Sequence, residues 1–130
     1  MDLKTLENCC FELNTIRNDF IFIHTNCKGH DFLTIHKLTE EYYKELQDNI
    51  DSLMEIYTGL NQSAFNLNKR SMTFIDKADF ESVLELCRFT VDTLEKARDS
   101  VDQNGFKSEI DGMLEYWEKQ ARFIALRFCL

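Results

Sequence analysis

No proline interrupts this chain, and only four glycines do. Proline breaks a helix interior and glycine weakens one, so their scarcity favours an all-α protein. The apolar residues repeat to match. Leu3, Leu6, Cys10, Leu13, Ile16, Phe20, His24 and Cys27 recur at three and four residues and predict a helix over 3–27. Lys28-Gly29 stops it, since glycine accepts the left-handed conformation. A second helix is expected from Phe32 to Gly59, with Asp31 as N-cap and Thr34 three residues on. Its apolar positions include Phe32, Ile35, Leu46, Ile50, Leu53, Met54 and Tyr57. Residues 60–75 read as a long connection, with Ala64-Phe65 and Leu67 as a short packed turn among poor helix formers. A third helix follows from Asp76 or Asp79. It is packed through Phe80, Val83, Leu84, Cys87, Val91, Leu94 and Val101, with Arg98 snorkelling from the same face. Asp102-Gln103-Asn104-Gly105 is the expected turn. Phe106 to Phe128 is the fourth helix, packed through Ile110, Met113, Leu114, Trp117, Ala121 and Ile124. The length suits a single domain over residues 1–130 with one core.

The second helix carries two pairs at i,i+4 spacing, His36/Glu40 and Asp51/Glu55. Each pair shares a helix face. Eleven residues separate Glu40 from Asp51, close to three turns, so all four fall in one stripe. The pair centres lie roughly 22 Å apart at the helical rise, too far for one metal. An identical helix packed antiparallel across a two-fold axis would bring 36/40 of one chain against 51/55 of the other. Two equivalent sites per dimer result, each built by both chains. His24 adds an imidazole twelve residues before His36. Alone on an apolar stripe it reads as a buried histidine; its spacing to His36 makes it a ligand candidate. Imidazole and carboxylate without thiolate suit iron, manganese or zinc.

These residues resemble a known family. His24-Thr25-Asn26-Cys27-Lys28-Gly29, then Phe32-Leu33-Thr34-Ile35-His36, then Glu40-Glu41-Tyr42, Asp51 and Glu55 are similar to the Dps mini-ferritins. Suitable ligand types stand at all five of that family's ferroxidase positions. The resemblance implies a ferritin-like four-helix bundle with a long crossover between its second and third helices. It also implies assembly into a hollow homo-oligomeric shell, a dodecamer. The implied activity is that of a ferroxidase. Fe(II) is oxidised by hydrogen peroxide or oxygen and Fe(III) mineral is kept inside, which protects against oxidative damage. His24, His36, Glu40, Asp51 and Glu55 would be both metal ligands and catalytic residues, with zinc or manganese as substitute metals. Thr25 stands where the family has tryptophan, and Glu40 where aspartate is common. Glu109 and Asp111 are the candidates for an acidic entry pore, although the family's Thr-x-Asp pattern is absent there. The alternative is a non-catalytic metal-binding or DNA-associated shell protein of the same fold.

Composition narrows the partners. The formal net charge is −8, and neither end carries a lysine-rich tail, so nucleic-acid binding is expected to be absent or weak. No apolar run approaches a membrane span. Met1-Asp2-Leu3-Lys4 opens directly on a helical pattern with no signal peptide. The five cysteines, Cys9, Cys10, Cys27, Cys87 and Cys129, show no CxxC and are odd in number, which reads as reduced thiols in a cytoplasm. No phosphate loop, HExxH motif or nucleophile elbow is present.

Overall fold

The computed structural model describes residues 2–62, 64–69 and 72–127, and the side chains of residues 69 and 126 are not among those described. Four α-helices and one 3-10 turn make up its regular structure: α1 Leu3–Asn26, α2 Phe32–Asn61, the 3-10 turn Leu67–Lys69, α3 Phe80–Asp99 and α4 Asn104–Arg127. No strand occurs among the described residues. The architecture is all-α and consistent with a four-helix bundle.

Local chemistry sets the helix ends. The Asp2 carboxylate accepts from Thr5 N–H at 3.0 Å and caps α1. The backbone N–H of Asp2 donates to the Ser100 carbonyl at 2.9 Å and fastens the start of α1 to the end of α3. Gly29 takes φ +87 in the α1–α2 turn, as its lack of a Cβ allows. Asp31 stands at the N-cap of α2, but its side chain makes no capping bond there. Helix α2 runs through Gly59 to Asn61 and stops where Gln62 turns left-handed at φ 56. One glycine weakens a helix without ending it. Of the two expected starts for α3, Asp79 is the cap, accepting from Ser82 N–H at 2.9 Å. Helix α4 begins at Asn104 rather than Phe106, because Lys107 N–H already reaches the Gln103 carbonyl at 3.0 Å. The expected end of this helix at Phe128, and Cys129, lie outside the described residues.

α1 packs against α2 and α3, and α3 against α4. Aromatic rings close the circuit between α2 and α4. The Trp117 ring lies 5.3 Å from Tyr42 and 6.0 Å from Phe20, centroid to centroid. All three side chains are fully buried. The polar tips of Trp117 and Tyr42 are satisfied within the bundle. Trp117 Nε1–H donates to Asn49 Oδ1 at 2.7 Å, and Tyr42 O–H to Gln120 Oε1 at 2.8 Å. The predicted apolar stripes are core with few exceptions. Phe32 is one, at 43 % exposed. Cys9, Cys10, Cys27 and Cys87 are buried and free. Burial pushes the Cys9 and Cys10 thiols up to about 12, which leaves them unreactive small hydrophobes.

The α2–α3 connection is held by a carboxylate that the apolar pattern does not reveal. Asp19 of α1 is 4 % exposed and accepts from Thr73 Oγ1–H and from Phe74 N–H, both at 2.8 Å. Asp19→Ala is expected to cost about 1.5–3 kcal/mol, the range for hydrogen bonds to a charged group. Urea unfolding measures the loss, and amide exchange at Phe74 should accelerate. Unchanged exchange there would show that the connection is held by its apolar contacts alone.

Candidate metal centre

His24 closes α1 and His36 lies one turn into α2, so the glycine turn folds them onto each other. Their rings stack with centroids 3.8 Å apart and planes 18° apart. Each ring is fixed by the other's backbone. His24 Nδ1 lies 2.7 Å from the His36 carbonyl, and His36 Nδ1 lies 2.9 Å from the His24 carbonyl. A carbonyl only accepts, so both Nδ1 atoms donate. The neutral rings therefore carry their proton on Nδ1 and leave Nε2 as the lone-pair nitrogen. A backbone carbonyl orients many metal-bound histidines in this way.

Three neighbours complete this end of the bundle. Tyr43 stands edge-on to His24 at 5.4 Å, and the Phe32 ring lies 5.2 Å from His36. The fully buried Thr39 donates its hydroxyl to the Ile35 carbonyl at 2.7 Å and lies 3.5 Å from His24 Nδ1. Glu40 follows His36 by one turn and pairs with Lys44 at 2.7 Å. That hydrogen bond, reinforced by the lysine charge and by His24 and His36, holds the Glu40 carboxyl below the usual carboxylate range. Glu40 is thus a ready anion, with an exposed and displaceable lysine as counter-ion.

Asp51 and Glu55 sit exposed further along the same continuous helix and flank a shallow depression with Met54 and Thr58. Asp51 is oriented from within the chain. Arg17 of α1 donates to Gln47 Oε1, and Gln47 Nε2 donates to Asp51 Oδ1 at 3.0 Å. The structure therefore brings His24, His36 and Glu40 to one end of α2 and leaves Asp51 and Glu55 further along it. Among the described residues no three His, Cys, Asp or Glu side chains form a metal-holding group within one chain.

Lys44, Gln47 and Arg17 join this site beyond the five ligand candidates. Lys44 and Gln47 stand four residues from Glu40 and Asp51 and were accessible to helical spacing. Arg17 required the register of α1 against α2. The pore candidates lie near the start of α4, and Asp111 is paired with Arg98 of α3. His30 is exposed in the α1–α2 turn.

Cys27 is the nearest thiol, at the end of α1. Its Sγ points to the carbonyls of His24 and Phe32, at 3.7 and 3.8 Å, and desolvation raises its ionisation above the ordinary thiol value. Its place is structural rather than ligating. No helix among the described residues is long and apolar enough to cross a membrane.

The chain belongs to the DUF5856 family, a family of unknown function, whose sequence profile matches residues 24–121. That segment opens on His24 and contains all five ligand candidates. No curated protein and no solved structure matches the chain.

Proposed function

We propose that this member of a family of unknown function is the subunit of a Dps-like mini-ferritin that oxidises Fe(II) and stores the Fe(III) product. One observation carries the reading: the stacked His24–His36 pair, each ring locked with Nδ1 protonated, beside an ionised Glu40. Such a pair offers two nitrogen lone pairs, and Glu40, one turn further along α2, adds a hard oxygen donor to that half-site. Asp51 and Glu55 supply the matching carboxylates on the same helix, roughly 22 Å away by helical rise. Two antiparallel copies of α2 would join the halves and give each Fe(II) imidazole and carboxylate ligands.

The chemistry follows from the donor set. Carboxylates favour Fe(III) over Fe(II), so oxidation tightens binding of the product. Each Fe(II) gives one electron. Hydrogen peroxide takes two electrons and two protons and leaves as two waters, so a site that accepts electrons from two irons consumes peroxide without releasing hydroxyl radical. Packing of α1 on both α2 and α3 supports a ferritin-like crossover in which the 62–79 connection joins helices across the bundle. A closed dodecameric shell would hold the mineral. Four buried, free cysteines support a reducing cytoplasmic setting.

Stopped-flow oxidation of Fe(II) by peroxide tests the reading. The wild-type protein should oxidise iron faster than buffer and retain it through gel filtration in a particle much larger than 15.4 kDa. Iron bound without accelerated oxidation would favour the alternative, a non-catalytic shell for zinc or manganese. The DNA-associated version of that alternative makes a different prediction. With net charge −8, the protein should not shift duplex DNA at about 150 mM salt in metal-free buffer, because phosphate contacts need cations. A tight complex there would move the reading towards DNA association.

A further inference from the structure

One ring of the core aromatic cluster, Tyr116, is only half-buried. Trp117 is the chain's single tryptophan and is fully buried. Its neighbours Tyr42 and Tyr116 lie at 5.3 and 5.1 Å, centroid to centroid. The three groups differ in where a proton could go. The indole N–H of Trp117 and the hydroxyl of Tyr42 both donate to side-chain amides, Asn49 and Gln120, and an amide oxygen is a poor base. Tyr116 donates instead to a carboxylate, Glu41 Oε1, at 3.1 Å. Glu41 is exposed and Tyr116 is only half-buried, so this phenol alone among the three meets both a proton acceptor and the surface.

We propose that Trp117 and Tyr116 form an exit for one-electron holes, which carries an oxidising equivalent from the bundle core to the surface. A one-electron oxidant of the carbonate-radical class, formed when peroxide meets a single Fe(II) in the presence of bicarbonate, takes an electron from the buried Trp117 by transfer across the packed protein and becomes carbonate. The indole is left as a radical cation, whose N–H has no basic partner. Tyr116 returns an electron to Trp117 and passes its phenolic proton along the hydrogen bond to Glu41. The neutral tyrosyl radical then stands at the surface, where a thiol-class reductant can quench it by supplying one electron and one proton. Only the biological source of the oxidant rests on the iron reading; the Trp117–Tyr116 transfer needs no metal.

Laser photoionisation of Trp117 in the metal-free protein, with a scavenger for the ejected electron, isolates the transfer. The sole indole makes the tryptophanyl signal unambiguous. That signal should decay as a tyrosyl signal grows, at a rate independent of protein concentration. Tyr116→Phe should lose most of the tyrosyl signal and prolong the tryptophanyl radical, whereas Tyr42→Phe should retain both yield and rate. Wild-type transfer in Tyr116→Phe, loss of transfer in Tyr42→Phe, or no tyrosyl signal in the wild type would each overturn the exit. None of these outcomes bears on iron oxidation, which is assayed separately, and failure of iron oxidation leaves the photochemical result unchanged.

Discussion

Subunits carrying His36→Ala/Glu40→Ala and subunits carrying Asp51→Ala/Glu55→Ala should each assemble without functional iron sites, and their mixture should regain some. The expectation rests on α2 being one continuous helix over Phe32–Asn61, which holds the two pairs roughly 22 Å apart. In a two-fold dimer each site takes one pair from each chain. A mixed dimer loses both halves at one site and keeps both at the other. Random mixing at equal amounts makes half the dimers mixed, each with one of two sites intact, so about a quarter of the wild-type sites should return. Iron titration of the reassembled protein measures this, with mass-labelled subunits to prove exchange. If exchange is complete and no site returns, the shared-site arrangement is wrong. If either variant alone binds a full complement, the proposed half-sites are not halves of anything.

The parts of this molecule legible in its sequence are those that depend on periodicity. Apolar spacing located four helices because burying one stripe is the same requirement along each of them. Boundaries moved where a short-range hydrogen bond decided the matter, as at Gln103–Lys107 and at left-handed Gln62. Spacing also placed the two candidate ligand pairs on α2, and the glycine turn brings His24 onto His36. The reciprocal carbonyl bonds that set both tautomers were not legible. They depend on the angle at which the α1–α2 turn closes, which residue spacing does not encode. Buried polar residues were hidden for a related reason. Asp19, Thr39 and Asn49 look like solvent-facing positions until their partners, which come from distant parts of the chain or from the preceding helical turn, are known. Arg17 belongs with them, since it reaches Asp51 only through Gln47 and the packing of α1 on α2.

Trp117→Ala should be among the most destabilising single substitutions in the bundle. The side chain is fully buried and joins α4 to the aromatic centre shared by Phe20 of α1 and Tyr42 of α2. Truncating a buried tryptophan costs about 3–5 kcal/mol through lost burial and the cavity left behind. A second effect adds to it. Asn49 is 5 % exposed, and its Oδ1 would lose the indole N–H that it accepts at 2.7 Å. An unsatisfied buried acceptor costs about 1–3 kcal/mol more. Set against a domain stability of about 5–15 kcal/mol, the sum removes a large part of the margin. Trp117→Phe separates the two effects, since it keeps most of the ring volume and still abandons Asn49. Its loss should fall near the smaller figure, about 1–3 kcal/mol. Urea unfolding followed by far-ultraviolet circular dichroism measures both variants at one fixed protein concentration, because the proposed assembly would couple stability to concentration. Tryptophan fluorescence cannot serve, as either variant removes the only indole. Equal stability of Trp117→Ala and Trp117→Phe would mean that the bundle collapses freely around this position. The aromatic centre would then be a filled space rather than the joint between α4 and the two helices that carry the histidine pair.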